Sequence, residues 1–473
     1  MTNAMKAALL ELTTTNGEVG SQIIKDLIKD HETERDDLMT AYNEYRGEVP
    51  IKSREDVSND DICNKLPHDY RGEIVDTFTG YLFGEAITYE VESEKEKDGD
   101  TQSKYINEFN KLNNIEDLDS ETGKLCSICG KADRLLYTQE IAGKLVERAM
   151  NVPPWECIHI RDGSVEEDQY AMRYYRVYVN MEGAWKERWK VEWYDNLNIT
   201  FWIEQADGNF VIDDQEVKNP LPHNFELIPL IEYVNNEEKQ GDFEKVKALI
   251  DAFDRSVSYN QDELEAFRNA YLKVTGATID KEAVEEAKNT RVLNVPEGGD
   301  IGFITKDIKD TFLENHLKRL EESIYRFSKC PNMSDEKFSG AAQSGESRKF
   351  KLIGLENKSK TKERKFTAAS RNMFKVLATL TGKRGMAFDY LDITLQFTRN
   401  LPLELALYAD VAAALKGTIS MQTILSLMPF IDDVDAELKR IEEENVDPYE
   451  NMDLNRGTEG ENNERASNNQ TTS

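Results

Sequence analysis

Cys126-Ser-Ile-Cys129 is the pair in this 473-residue chain whose spacing could hold a metal. A structural zinc takes four ligands, usually supplied as two such pairs. The nearest other soft ligands are Cys157 and His159, and a Cys-x-His step on a strand is an unusual partner. The expected role of Cys126 and Cys129 is therefore that of core residues on a helix. A redox role is also poorly supported, because the βαβ context of such motifs is missing. The segment "TGKRG" at 381–385 lacks the first glycine and the hydroxyl of a phosphate-binding loop. In "VPEGGDIG" the glycines sit between strands and open no helix, so they form no dinucleotide fingerprint. His31, His68, His159, His223 and His316 are scattered, with no H-E-x-x-H and no G-x-S-x-G elbow. Acidic pairs such as Asp432-Asp433 are expected to be solvated surface. No active site and no cofactor is expected.

One charge pattern stands out. From Ser347 to Lys375 the chain carries ten basic residues and only Glu356 and Glu363 against them. Lys358, Lys362 and Lys365 share a helical face by i, i+4, i+7 spacing. Two readings are open: a helix that pairs with acidic neighbours, within or between subunits, or a contact for a polyanion. Base readout is not expected, since no DNA-reading motif surrounds these residues. Just before this segment lies "CPNMSDEKFSGAAQSGES", Cys330 to Ser347, a polar loop with no histidine. Loops of that length inside a compact domain usually carry function or are disordered.

The elements that must position these residues follow from periodicity. Helical spacing marks residues 20–46 and 67–83, with Gly84 as a stop and "AITYEV" as a strand after it. Residues 93–104 read as a charged loop and 105–150 as helical. From Trp155 to Asp213, "ECIHI", "YRVYV", "KVEWY" and "ITFWI" read as an antiparallel meander. A single apolar stripe from Gly241 to Tyr271 predicts a helix of roughly 45 Å. "RVLNV" and "IGFIT" across a Pro/Gly turn suggest a hairpin, and 311–328 a second long helix. A long helical segment runs to about Thr381, 388–397 alternates like a strand, and 402–444 is helical with a break at Pro429. The polar tail from Asp447 is expected to be disordered. The fold class is α+β, mainly helical.

With 90 acidic against 59 basic residues the formal charge is −31, so broad adhesion to nucleic acid or anionic membrane is disfavoured. The amino terminus lacks a signal peptide's pattern, and no stretch approaches ~20 apolar residues. A soluble, non-exported protein is expected. Five cysteines, odd in number, fit a reducing compartment with free thiols.

Three stretches together resemble the portal proteins of tailed double-stranded DNA bacteriophages of the siphovirus type. They are "EIVDTFTGYLFGEAITYE" at 73–90, "NVPEGGDIGFITKD" through the following helix into "CPNMSDEKFSG", and "GLENKSKTKER" at 354–364. "GTISMQTILSLMPFIDD" at 417–433 supports them, and their order spans most of residues 20–445. The resemblance implies a non-enzymatic ring, typically of twelve subunits, at one capsid vertex. DNA would pass through its channel, without sequence specificity, during packaging and ejection. It implies a wing at 1–240, stem helices at 241–271 and 311–328, a clip at 272–310 and a tunnel loop at 329–347. A long helix returning to the wing at 348–401, a crown at 402–446 and a tail at 447–473 complete the map. The loop would touch DNA through Asn332, Ser334, Asp335, Lys337, Ser339, Gly340, Gln343, Ser344 and Gly345. Arg348, Lys349, Lys358, Lys362 and Lys365 would meet a polyanion or a neighbouring subunit. Implied partners are other copies of the chain, the terminase large subunit, the head–tail connector, capsid and scaffold proteins, and double-stranded DNA, with no membrane. Its place would be the virion, and the host cytoplasm during assembly. In one respect the chain departs from the pattern. Many relatives carry small apolar residues after the Ser-Gly of the loop, and here Glu346-Ser347-Arg348 follow Ser344-Gly345. An intracellular oligomeric scaffold without a DNA channel is the alternative.

Overall fold

The structure is a computed structural model. It describes residues 19–55, 62–92, 96–161, 168–181, 183–267, 272–276, 298–303, 310–333, 352–386, 388–400, 405–428 and 434–444, with isolated positions at 5, 8, 9, 12, 281, 282, 285, 290 and 431. Contacts divide the chain into Met1–Asn400 and Leu401–Ser473.

In the first unit α1 (Ser21–Tyr45) and α2 (Tyr70–Phe83) lead into β1 (Thr88–Val91). Asp69 caps α2 by accepting the Gly72 amide at 3.0 Å, so the helix starts three residues after Pro67. Then come α3 (Glu96–Asn113) and α4 (Ile115–Cys129), where a charged loop was expected for much of 93–104. Expected helix gives way to strand over 131–150. Gly130, in the left-handed region at φ +82°, ends α4, and β2 (Lys131–Ile141) and β3 (Lys144–Val152) follow. Their two-residue turn, Ala142-Gly143, has positive φ at both positions, the geometry that matches strand twist. Good helix formers such as Leu135, Leu136, Glu140 and Leu145 masked that turn.

The expected meander is present as β4 (Cys157–Ile160), β5 (Tyr170–Met181), β6 (Ala184–Tyr194), β7 (Asn198–Glu204) and β8 (Phe210–Ile212), paired in that order, with β9 (Leu221–Pro222) against β7. β5 and β6 outrun their neighbours. β4 pairs with residues 170–173 and β7 with 190–194, so the pairs from Arg176↔Trp189 to Met181↔Ala184 form a two-stranded ribbon. At about 3.4 Å per residue it projects roughly 20 Å. Tyr178 and Trp185 stand exposed on it.

β10 (Leu230–Val234) joins β2 and β3 in a three-stranded sheet. A 3-10 turn at Glu244–Val246 precedes α5 (Lys247–Phe267), so this helix begins later than the stripe from Gly241 suggested and spans about 31 Å over its 21 residues. β11 (Leu272–Thr275) pairs with β12 (Asp300–Phe303) in the register Leu272↔Phe303. The strand "IGF" therefore takes its partner from "LKVT", while 291–297 lies outside the described residues. Next come α6 (Asp310–Ser328), α7 (Ile353–Lys383) and β13 (Ile393–Gln396), which pairs with β1. All the ladders are antiparallel, and the fold is α+β.

Four buried clusters hold this unit, the smallest of them around Leu135, Cys157, Tyr194 and Leu230. The face of α7 with Phe366, Met373, Phe374 and Leu377 packs with Ala132, Leu136, Ile231 and Ile393 of the small sheets. A second core joins α1, α2, α5 and α6 through Leu38, Phe78, Phe253 and Ile324. A third seats Ile24 and Leu27 of α1 on Met172, Tyr174, Val191 and Trp193. Each such side chain removed from water contributes about 1.5–3 kcal/mol.

The second unit holds α8 (Leu405–Leu415), α9 (Met421–Ser426) and α10 (Val434–Glu444). Ser420 caps α9 by accepting the Thr423 amide at 3.2 Å. Pro429 and the tail from Asp447 lie outside the described residues. No helix among the described residues is long and apolar enough to cross a membrane.

Candidate functional site

α5 and α6 pack through Ile250, Phe253, Val257, Leu317, Leu320 and Ile324. Tyr259, Leu264, Phe312 and Phe327 are exposed, Phe312 to 74%. Large apolar groups exposed on one helix pair are what an association surface offers.

Ion pairs fix α5 to the N-terminal body, and a hydrogen bond to a carboxylate fixes α6. At the root of α5, buried Arg71 reaches Glu44 at 3.1 Å and Asp251 at 2.6 Å, and Lys247 meets Glu44 at 2.8 Å. At the end of α6, the Tyr325 hydroxyl donates to Glu73 at 2.8 Å, and burial and then this carboxylate push its pKa up. Lys329 adopts a left-handed φ of +69°, turning the chain out of α6. The Ser328 hydroxyl accepts the Cys330 amide at 3.2 Å. Asn332 folds back and donates to Glu321 at 3.0 Å. Of the residues expected to line the loop, Asn332 is the described one. Ser334, Asp335, Lys337, Ser339, Gly340, Gln343, Ser344 and Gly345 lie outside the described residues, as do Arg348 and Lys349.

Near the start of α7, two of the three lysines of the basic face meet a single carboxylate. Lys358 reaches Asp242 at 3.0 Å and also donates to the Ser328 carbonyl at 3.2 Å. Lys362, 6% exposed, pairs with the other oxygen of Asp242. The Ser127 hydroxyl donates to Asp242, and the Asn235 amide group does so at 3.1 Å. The two ammoniums lie 4.5 and 4.6 Å from the centre of the Phe78 ring, within range of its negative face. Burial alone would raise the Asp242 pKa; the ammoniums of Lys362 and Lys358 outweigh it and hold the carboxyl at about 2. Lys362 shifts down, because burial disfavours its charge and one carboxylate must serve two ammoniums. The acidic-neighbour reading fits this geometry, inside one chain. Buried Lys362 presents no ammonium to a polyanion. Lys365 pairs with exposed Glu237 instead.

Asp242 thus joins the end of α4, the segment after β10, the end of α6 and the start of α7. The backbone comes close enough here to exclude side chains: a Cβ on Gly130 would overlap the Lys239 carbonyl, and one on Gly241 the Ile128 carbonyl. Sequence reasoning placed Asp242 at the start of the helix expected over 241–271 and gave it no role. The signal lay in its partner, since Lys362 shares the face of α7 that buries Leu355, Ser359 and Phe366, and a buried ammonium needs an anion.

Cys126 and Cys129 point to different places. Their thiols face the carbonyls of Tyr233 at 3.5 Å and Leu38 at 3.6 Å, and burial pushes both pKa values up, that of Cys129 to about 12. Among the described residues no cluster of His, Cys, Asp and Glu has metal-holding geometry. His159 lies between Asp133 and Asp168, 2.7 Å from each. Burial lowers its pKa, but the two carboxylates more than compensate and raise it to about 10.

The chain belongs to the family described as "Phage portal protein, SPP1 Gp6-like", whose profile matches residues 24–447. It is similar to the portal protein of Bacillus phage SPP1, 25% identical over 482 residues that cover 96% of this chain and 92% of that one. It is also similar to the portal protein of Clostridium phage phiCD119, 24% identical over 451 residues, 89% of this chain and 96% of the relative. The family is structural and not enzymatic.

Proposed function

We propose that this chain assembles into a ring of about twelve copies at one vertex of a phage capsid, closed point symmetry being the usual outcome of a self-repeating interface. The ring forms the channel for DNA packaging and ejection. It is the docking site for the terminase large subunit and then for the head–tail connector, and it is set among capsid and scaffold proteins. In this reading 1–240 is the wing, α5 and α6 are the stem, 272–310 is the clip and 402–446 the crown. The loop at 329–347 lines the bore, with Arg348 and Lys349 beside it as transient phosphate contacts.

The observation that carries the reading is the α5–α6 pair, which packs on its own chain through one apolar stripe yet leaves Leu264, Phe312 and Phe327 exposed and Tyr259 half-exposed beside Arg54. A neighbouring copy of the same pair would cover those groups. The test is the native mass of the purified protein with negative-stain images of the same sample. Rings with a central hole are expected, and removing 332–345 should leave them intact while blocking packaging. A stable monomer that also stays monomeric with procapsids, or packaging by the shortened protein, would count against the reading. The scaffold alternative predicts a small oligomer without a hole.

A further inference from the structure

The outer face of α7 carries a line of cations. Lys360, Arg364 and Arg371 are exposed and follow i, i+4, i+11 spacing. Eleven residues complete three helical turns to within about 20°, so the three side chains start from one line about 16.5 Å long. The two acids of this helix are taken by Arg399, which reaches Glu356 at 2.9 Å and Glu363 at 2.7 Å. Lys360 lies 3.8 Å from Glu356, and among the described residues Arg364 and Arg371 have no anion of their own. Beside the line stand the exposed, neutral Asn357, Thr361 and Ala368.

α1 carries the complement. Asp26, Asp30 and Asp37 are exposed and repeat the i, i+4, i+11 spacing. Asp26 accepts the Gln22 amide group at 2.9 Å, and among the described residues none of the three forms an ion pair. Order matters as well as spacing. With the helices parallel, Asp26 falls opposite Lys360, Asp30 opposite Arg364 and Asp37 opposite Arg371. With them antiparallel, the middle charges miss each other by about 4.5 Å. Both lines are exposed in the single chain, so neither serves the other there.

We propose that α1 of one copy docks parallel on α7 of the next through these three acid–base pairs. The two patches differ, so the contact is head-to-tail, the kind that can close into a ring. The inference rests on the reading that copies associate, and it adds which surfaces meet. Double-stranded DNA is the other anion the line could take. The matched order on the chain itself and the repulsion from a charge of −31 favour a second copy.

Charge exchange tests this. Lys360→Glu/Arg364→Glu/Arg371→Glu makes one face acidic, and Asp26→Lys/Asp30→Lys/Asp37→Lys makes the other basic. All six side chains are exposed, so both variants should melt like the unaltered chain. Each alone sets like charges opposite one another and should raise the concentration for half-assembly about tenfold or more. Sedimentation reads this, or incorporation into procapsids where the free chain is monomeric. A one-to-one mixture restores opposite charges at every contact between unlike copies, and should assemble within about threefold of the unaltered protein. Either variant assembling normally alone, or a mixture that stays apart, would overturn the inference and leave the ring reading standing if unaltered rings form. An acidic-face variant that assembles normally but loses hold of a DNA duplex would overturn it in favour of DNA. An unaltered chain that stays monomeric even with procapsids would remove both readings. Should a triple variant melt early, Arg364→Glu and Asp30→Lys are mixed and judged in the same way.

Discussion

At the scale of single residues, the chain relies on a few buried charges whose partners are fully specified. Asp242 is the sharpest case, because two lysines depend on it. Asp242→Asn should cost roughly 3–5 kcal/mol, the usual penalty when one member of a buried ionic group is removed. Adding Lys362→Met should restore part of that loss, since the orphaned ammonium is then gone. Urea unfolding of the three proteins checks this, and equal stability of the single and double variants would refute it. His159 makes a pH prediction. Its pKa in the folded chain, about 10, lies above the ordinary 6.5, so the folded state holds a proton that the unfolded state releases. The contribution is complete below pH 6.5 and disappears as pH rises toward 10, an effect of roughly 3–5 kcal/mol at full extent. The unfolding midpoint should fall between pH 6.5 and 9, and His159→Gln should flatten that slope.

At the scale of elements, periodicity located α1, α2, β4 to β7 and the α5–α6 pair, because their apolar stripes or alternations are long. It failed over 131–150, where strand residues with good helix propensity hid a two-residue turn, and at β11, whose partner lies 25 or more residues away. Pairing at that distance leaves no local trace. The Asp242 cluster was half legible: the lysines announced a charge requirement, and nothing local announced which of 90 acidic residues met it. Gly130 carries a prediction of its own. It combines a positive φ with a Cβ position already filled by the Lys239 carbonyl. Gly130→Ala should therefore destabilise by about 2 kcal/mol or more, beyond the ~1 kcal/mol of left-handed strain alone. Thermal melting would show it, and a shift under a degree would contradict the close approach.

At the scale of the whole molecule, the proposed ring would gather many chains of charge −31, so apolar contact along α5 and α6 must outweigh a mutual repulsion that salt screens. The β5–β6 ribbon has a practical consequence. Burial pushes the thiols of Cys126 and Cys157 up and those of Cys129 and Cys330 up to about 12, which makes all four slow nucleophiles. A cysteine at exposed Ala184, at the ribbon's tip, would react with a maleimide dye well ahead of them. With Cys63, the partly exposed fifth cysteine, replaced by serine, one fluorophore per copy, each on a finger held clear of the sheet, would turn energy transfer into an optical ruler for the spacing between copies.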